Sequence, residues 1–576
     1  MTEKQFRILA AAFIVFVTLL AYANTYPNEF VWDDASSILL HEDVQQPSHV
    51  LQLFTKDQHA YGRGQGNFYR PFVSLSFMAE SILARAAAPA PAAGQTQQVL
   101  SPFVFHIGNA LWHALAGIGV FALMTALGTP RPVRLLASLL YVVHPLHTEA
   151  VTYISGRADP MAGAFVALAL ACALSLPKGK NAIWSGLLFA AALLCKESAT
   201  IFPFLLLLAA LVVGRVPKPK DDAAPERRPL LAPLAVAGVV LGVYAALRFT
   251  VLKFADAQES VSPPLTQRIA EAGQAFAMYV KLIFAPAGLH MERTLEGVPG
   301  WTAVAGWLLI PVFVLATVWA HAGKRHRLAF ALGFFLIAWL PISGIFPLNA
   351  PMAEHWMYLP LMGFAWALVE VAWMFCGATP LRYPVYAAAY IAVIALITAT
   401  AQRNYDWRSN ESLYVATLKE NPNSIRVNYN LGVTYEDLIE NSSGARRHFE
   451  RVLELYQARK EATGEVGDKA RYYDDELEAH LSLGRIFAAK ELPAQAASHF
   501  ETLRRVAVND SNSMIIASAY IEYVKLLAAV GQLTEAQQLF EEGAGRIPAL
   551  KQQQEQLERA RQAATQTGPA PAGPPS

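Results

Sequence analysis

Long apolar runs separated by short polar stretches fill the chain as far as residue 401, and a different, polar and helical pattern follows. A helix that crosses a bilayer takes about 20 mostly apolar residues. Eight runs are read as such spans: 8–23, 103–127, 160–176, 231–252, 301–321, 328–347, 356–376 and 384–401. Two further stretches need an argument. The run 181–213 carries Lys196 and Glu197 at its middle and is flanked on both sides by basic residues, Lys178 and Lys180 before it, Arg215, Lys218 and Lys220 after it. Basic loops favour the cytoplasm, so the run must go out and return as two short spans with Lys196-Glu197 at the outer turn. The run 133–148, after Arg131 and Arg134, ends in His144-Pro145-Leu146-His147 and reads as a span whose outer end meets a polar cavity.

Eleven spans result. With the N-terminus inside, the basic residues fall in the cytoplasmic loops 128–134, 177–180, 214–228, 322–327 and around Arg382, and everything after the last span lies outside. The segment Arg70–Arg85 is not counted. It is too short at about 15 residues, its Ser74, Ser76 and Glu80 suit an interfacial helix, and counting it would invert the charge bias of every later loop.

Beyond 403 the pattern is that of helical repeats. Asn421-Pro422 precedes Leu431-Gly432, Tyr435, Ala445 and Phe449; a second unit has Leu483-Gly484, Phe487, Ala496 and Phe500; a third keeps Ala536, Phe540 and Pro548 without the Leu-Gly pair. From Gly484 the later marks fall at steps of 3, 12 and 16, which fit tetratricopeptide repeats, small residues allowing paired helices to approach and aromatics filling the groove. Insertions such as 458–475 lengthen the spacing. The expected organisation is all-α: a polytopic membrane bundle over 1–403 with a first outer loop at 25–101, a repeat solenoid over 404–550, and a helical extension with a disordered tail over 551–576.

Composition adds bounds. Of 576 residues, 54% are hydrophobic and 16% charged, a membrane balance diluted by something soluble. A net charge of +1 without a basic block gives no reason to expect nucleic acid. Cys172, Cys195 and Cys376, odd in number and widely spaced in apolar runs, form neither a disulfide framework nor a zinc site. Lys4 and Arg7 ahead of 8–23 imitate a signal peptide, but no small-residue cleavage site follows, and a retained signal anchor is expected.

The chemistry to be explained is charge collected on the outer side. Phe30-Val31-Trp32-Asp33-Asp34 places two carboxylates just beyond the first span, and ionisable groups at a membrane face need partners or a task. If the substrate is a sugar carried on a polyprenyl phosphate, the acceptor hydroxyl needs a carboxylate base, which Asp33 or Asp34 can supply. The departing phosphate needs cations, for which Arg70, Arg157, Lys196, Arg248 and Arg403 are available. On spacing alone an Asp-Asp pair is more often a solvated loop or an ion pair. His144 and His147, three apart and followed by Glu149, are the candidate ligands for a divalent metal. Pro145 between them disturbs the shared helix face, and capping of a short span is the commoner outcome. Asp159, the Lys196-Glu197 pair and Glu354-His355 complete the candidate cavity; each of these pairs is either mutually neutralised or a phosphate ligand. No cofactor other than a metal is implied.

Together these pieces resemble the transmembrane and tetratricopeptide-repeat O-mannosyltransferases of the GT-C fold, in a bacterial-type version. The residues that carry the resemblance are Phe30–Asp34, Tyr69-Arg70-Pro71 with Leu75-Ser76-Phe77, Phe105-His106 with Asn109 and His113, His144–Val151 with Gly156–Asp159, Lys196-Glu197, Ala353-Glu354 with Tyr358-Leu359-Pro360, and Arg403-Asn404 with Trp407. They cover nearly the whole chain. The resemblance implies an inverting transfer of mannose from a polyprenyl-phosphate donor to a protein hydroxyl on the outer face, with the acidic pair of the first outer loop supplying the base. Asp33 is taken as base and Asp34 as its partner. It further implies a multi-pass protein of the bacterial inner membrane with periplasmic repeats that dock a protein acceptor, or of the endoplasmic reticulum with luminal repeats in a eukaryote. His355 departs from the pattern, standing where an arginine is expected after the glutamate; the repeats are few; the Ala/Pro stretch 86–94 is peculiar to this chain. A lipid or polysaccharide acceptor is the alternative within the enzyme reading. A lipid-linked-sugar transporter would place charge at mid-membrane and show related halves, and a scaffold would need only one span.

Overall fold

A computed structural model describes residues 1–59, 61, 67–87, 100–213, 230–252, 263–465 and 472–552. The basic loop 214–228, the core of the insertion 458–475, the Ala/Pro stretch from 88 on and the tail after 552 lie outside the described residues. The described residues contain helices and turns and no strand. The chain divides into two compact units, 1–416 and 417–576, so 404–416 goes with the membrane unit.

The first unit opens with α1 (Glu3–Ala21), capped at its start by Thr2 and Gln5. The first loop holds the short α2 (Glu42–Gln45) and then α3 (Pro71–Ala87). There follow α4 (Phe103–Ala126), α5 (Arg131–Val142), the one-turn α6 (Thr148–Val151), α7 (Ala158–Ser175), α8 (Lys180–Leu193), α9 (Phe202–Val213), α10 (Leu231–Thr250) and α11 (Leu265–Phe284). The unit closes with α12 (Trp301–Ala322), α13 (His326–Trp339), α14 (Tyr358–Cys376), α15 (Arg382–Asn404) and the first turns of α16 (Asn410–Glu420).

Among the described residues seven helices are long and apolar enough to cross a membrane: α1, α4, α7 with the turn before it, α10, α12, α14 with its leading turn, and α15. Every other expected span is also a helix, but α5, α8, α9 and α13 have only 12–14 residues each. At 1.5 Å per residue such helices are shorter than a bilayer core is thick, and 3₁₀ turns extend three of them, at Pro145–His147, Glu197–Ile201 and Leu340–Ile342. The unit is therefore an all-α, polytopic membrane bundle. Its buried centre is made by α4, α7 and α14, while α10, α12 and α15 bury only 11% of their apolar windows and turn the rest outward, as lipid-facing helices do.

The pattern reading did not anticipate α11. It is amphipathic, burying Ala272, Phe276, Tyr279 and Ile283, exposing Lys281 and leaving Arg268 half-buried, so no apolar run marks it. Arg268 donates to the Ile345 carbonyl at 2.8 Å, Tyr279 bonds Ala353 at 3.1 Å, and the Ile283 carbonyl meets His144 at 2.9 Å. Both ends are thus fixed to loops at the polar end of the bundle. The first-loop helix α3 is present as expected, but its Ser76 and Glu80 turn inward to an arginine.

The second unit is a row of helix pairs: α17 (Ile425–Val433) with α18 (Ser442–Thr463), α19 (Asp474–Ala489) with α20 (Pro493–Arg505), and α21 (Ser513–Ala529) with α22 (Leu533–Arg546). Gly432 lies under the Phe449 ring and Gly484 under Phe500, where a Cβ would sit 2.7 and 2.4 Å from ring atoms. In the third pair the arrangement is exchanged: Tyr520 on the first helix covers Gly543 on the second, at 2.8 Å. That exchange is why no Leu-Gly pair marks the third unit.

Candidate functional site

The charged residues of the membrane unit gather in its polar loops, and the acidic doublet divides into two unlike groups. Asp34 is fully buried. Its Oδ1 accepts from the backbone N–H and the hydroxyl of Ser155, at 2.8 and 2.7 Å, and its Oδ2 accepts from the Val31 N–H at 3.0 Å. Burial pushes its carboxyl up to about 7 against the pull of those three donors. Asp33 is only half-buried and takes a hydrogen bond from the Tyr153 hydroxyl. Between them and the first span stands Trp32, whose φ of +52° is left-handed, a conformation bulky residues rarely adopt.

Tyr153 is a hub. Trp32 stacks on one side of it and Trp407 on another, each 5.4 Å between ring centroids. The loop carrying the doublet is tied to the end of α15 and the turn after it. Asn28 donates to the carbonyls of Asn404 and Trp407, Glu29 N–H to the Arg408 carbonyl, and Trp32 N–H to Asn410 Oδ1 at 2.8 Å.

Two groups of cations flank this hub. On one side Lys196 Nζ meets both oxygens of Asp159 at 2.7 Å, and Arg70 meets the neighbouring Glu197 at 3.2 Å. Asp159 lies four residues after Ser155 in the chain, just past the 3₁₀ turn Ile154–Arg157. Lys196 and Arg70 retain 12% and 14% side-chain exposure and Glu197 36%, which leaves this group open to a ligand. Arg248 is bound to Asn67 through the carbonyl and side chain, at 3.0 and 2.9 Å. On the other side Glu354, fully buried, accepts from Arg293 at 2.8 Å and from the His290 N–H at 2.6 Å, and faces Arg403 at 3.7 Å. Arg403 also pairs with Asp406 at 2.7 Å, and its Nε and Nη2 are buried without a hydrogen bond. Glu149 receives His355 twice, from Nδ1 at 2.8 Å and the backbone N–H at 3.0 Å. His355, in the place where an arginine was expected, thus serves Glu149, while Arg293 and Arg403 serve Glu354.

Three sequence candidates occupy structural positions. Arg157 is fully buried and spent on the protein: Glu80 at 2.6 Å, Asn109, the Ser76 hydroxyl at 3.1 Å and the Phe105 carbonyl at 2.9 Å, with the Phe77 ring against its face. His144 holds the Ile283 carbonyl and accepts from Leu146 N–H. His147 is enclosed by the rings of His113, Tyr141 and Tyr358. Pro145 turns the segment into a 3₁₀ turn, so the two imidazoles point apart and Glu149 is engaged elsewhere. Among the described residues no three His, Cys, Asp or Glu side chains are placed to hold a metal ion. Sequence reasoning missed Tyr153, Ser155 and Asn410, and placed Arg293 on the outer face without giving it a role. The first two lie between recognised motifs, Arg293 comes from an irregular loop, and Asn410 reads as the start of a repeat helix.

Comparison with known proteins bears on both units. Protein O-mannosyl-transferase TMTC3 of Mus musculus is 24% identical over 94% of this chain and 60% of its own length. TMTC4 of the same species is 26% identical over 73% of this chain and 63% of its own, and human TMTC1 24% over 80% and 57%. The chain is similar in sequence to the TMTC proteins. It spans about three-fifths of the length of these curated relatives. No family model matches it, and no solved structure does.

Proposed function

We propose that this TMTC relative is a protein O-mannosyltransferase, moving mannose from a polyprenyl-phosphate donor to a Ser or Thr hydroxyl with inversion. The observation that carries the reading is that the TMTC relatives, named protein O-mannosyl-transferases, align over nearly the whole chain. The acceptor oxygen attacks the anomeric carbon, the bond from that carbon to the phosphate oxygen breaks, and its electrons leave with the polyprenyl phosphate. The hydroxyl proton goes to a carboxylate. Asp33 takes this role because it is half-buried and reachable, whereas both oxygens of Asp34 are occupied in a sealed position. The phosphate falls to Arg70 and Lys196, the partly open cations, whose carboxylate partners Glu197 and Asp159 hold them in place. Arg403, Arg293 and Glu354 support the loops around the hub, and Arg248 fixes the loop at Asn67.

In this reading all eleven expected spans cross, the polar end is periplasmic in a bacterium or luminal in the endoplasmic reticulum, and the second unit docks the protein acceptor as a tetratricopeptide solenoid. The test is incubation of membranes holding the full chain with tritium-labelled mannosyl polyprenyl phosphate, followed by analysis of the protein fraction. Label on protein is expected with the native chain and a loss of about 10²–10⁴-fold with Asp33→Asn, the range a general base contributes. Undiminished labelling by Asp33→Asn removes the base assignment; label found only on lipid or polysaccharide removes the protein acceptor.

A further inference from the structure

The residue just before the proposed base has a backbone that needs holding. Trp32 sits at φ +52°, where the Cβ of an L-residue crowds the backbone, and few side chains other than Gly, Asn or Asp settle there. Such a conformation persists only where the surroundings over-determine it. Here they are identifiable. The Trp32 ring is stacked on Tyr153, and its N–H is taken at 2.8 Å by Asn410 Oδ1. The next residue is Asp33, whose carboxylate meets the hydroxyl of the same Tyr153. The direction in which Asp33 leaves the backbone is therefore set by the left-handed turn at Trp32.

We propose that Asn410 is a positioning residue for Asp33: by accepting the Trp32 N–H it fixes the left-handed turn that aims the Asp33 carboxylate. This rests on Asp33 being the base. Within the turn itself Asp34 N–H donates to the Val31 carbonyl and Val31 N–H to Asp34 Oδ2, both at 3.0 Å, which closes the turn around Trp32 and Asp33; Asn410 adds the hold on the Trp32 N–H from outside it. Asn28 and Glu29 tie the loop to Asn404, Trp407 and Arg408 three or more residues upstream of Asp33, and Asp34 is anchored on its far side by Ser155. They fix the ends of the segment, and Asn410 fixes the residue that bends it. Asn410 is also the first residue of α16, the helix that leads out of the membrane unit.

Asn410→Ala removes the acceptor; Asn410→Asp keeps an oxygen in the same place. Transfer of tritium-labelled mannose from mannosyl polyprenyl phosphate to protein, measured with the full chain in membranes, is expected to show kcat lowered about tenfold in Asn410→Ala, the effect of one lost hydrogen bond. KM for the donor is expected to stay within twofold, and Asn410→Asp to recover at least half of the rate. Native kcat in Asn410→Ala overturns the proposal. So does an equal loss in Asn410→Ala and Asn410→Asp, or a loss that follows a lowered unfolding temperature, since either marks a merely structural residue. Asp33→Asn run beside them separates the two claims. If Asp33→Asn transfers normally, the base assignment has failed; if it is inactive while Asn410→Ala is native, only the positioning role has.

Discussion

Asp34 is where the two members of the doublet can be told apart by stability. Asp34→Ala withdraws the acceptor of three hydrogen bonds, from Val31 N–H at 3.0 Å, Ser155 N–H at 2.8 Å and Ser155 hydroxyl at 2.7 Å. It leaves two backbone donors in a site that excludes water. At about 0.5–1.5 kcal/mol per bond, with the unsatisfied donors added, the loss is about 2–5 kcal/mol. Its pH dependence has a definite sign. The folded carboxyl titrates at about 7, raised by burial above its ordinary 3.8. A raised carboxyl contributes stability that is fully present below pH 3.8 and lost as pH rises through about 7. The cost of Asp34→Ala is therefore expected to be larger at pH 6 than at pH 8. The assay is thermal unfolding of the detergent-solubilised full chain at both pH values, read by tryptophan fluorescence, which the Trp32–Tyr153–Trp407 stack places close to the event. Asp33→Asn, at a half-buried residue, should melt with the native protein. An Asp34→Ala variant as stable as the native chain at pH 6, or one whose deficit grows with pH, would refute the assignment of Asp34 as the sealed anchor.

Two further outcomes follow from packing. Glu354→Ala leaves Arg293, 7% exposed, in a buried site without its carboxylate, while Arg403 keeps Asp406; a loss of about 3–5 kcal/mol is expected, and an unfolding midpoint within a degree of native would contradict it. Gly484→Val drives a Cβ to 2.4 Å from the Phe500 ring, an overpacking worth about 1–3 kcal/mol. Limited proteolysis of the full chain should then open the second unit first, and equal resistance of the two units would count against the close helix approach.

What the pattern of apolar and polar positions made legible was whatever is periodic or local. Each expected span is a helix, and the Gly-to-aromatic steps of the second unit correspond to rings resting on glycines. Helices such as α11 escape because an amphipathic stretch carrying Arg268 and Lys281 has no apolar run to announce it. The site was legible in its ingredients and illegible in its assignments, for one physical reason. Whether a buried charge binds a ligand or holds the fold depends on its partners, and those come from far along the chain: Arg157 is consumed by Glu80, Glu149 by His355, Glu354 by Arg293. Burying ions unpaired is costly enough that a cavity rich in charge must neutralise most of it internally. The groups left for chemistry are then those whose pairing is incomplete or open to solvent. The residues proposed for the chemistry, Asp33, Arg70 and Lys196, keep partial exposure, and the doublet, alike in sequence, divides because Ser155 reaches one carboxylate and Tyr153 the other.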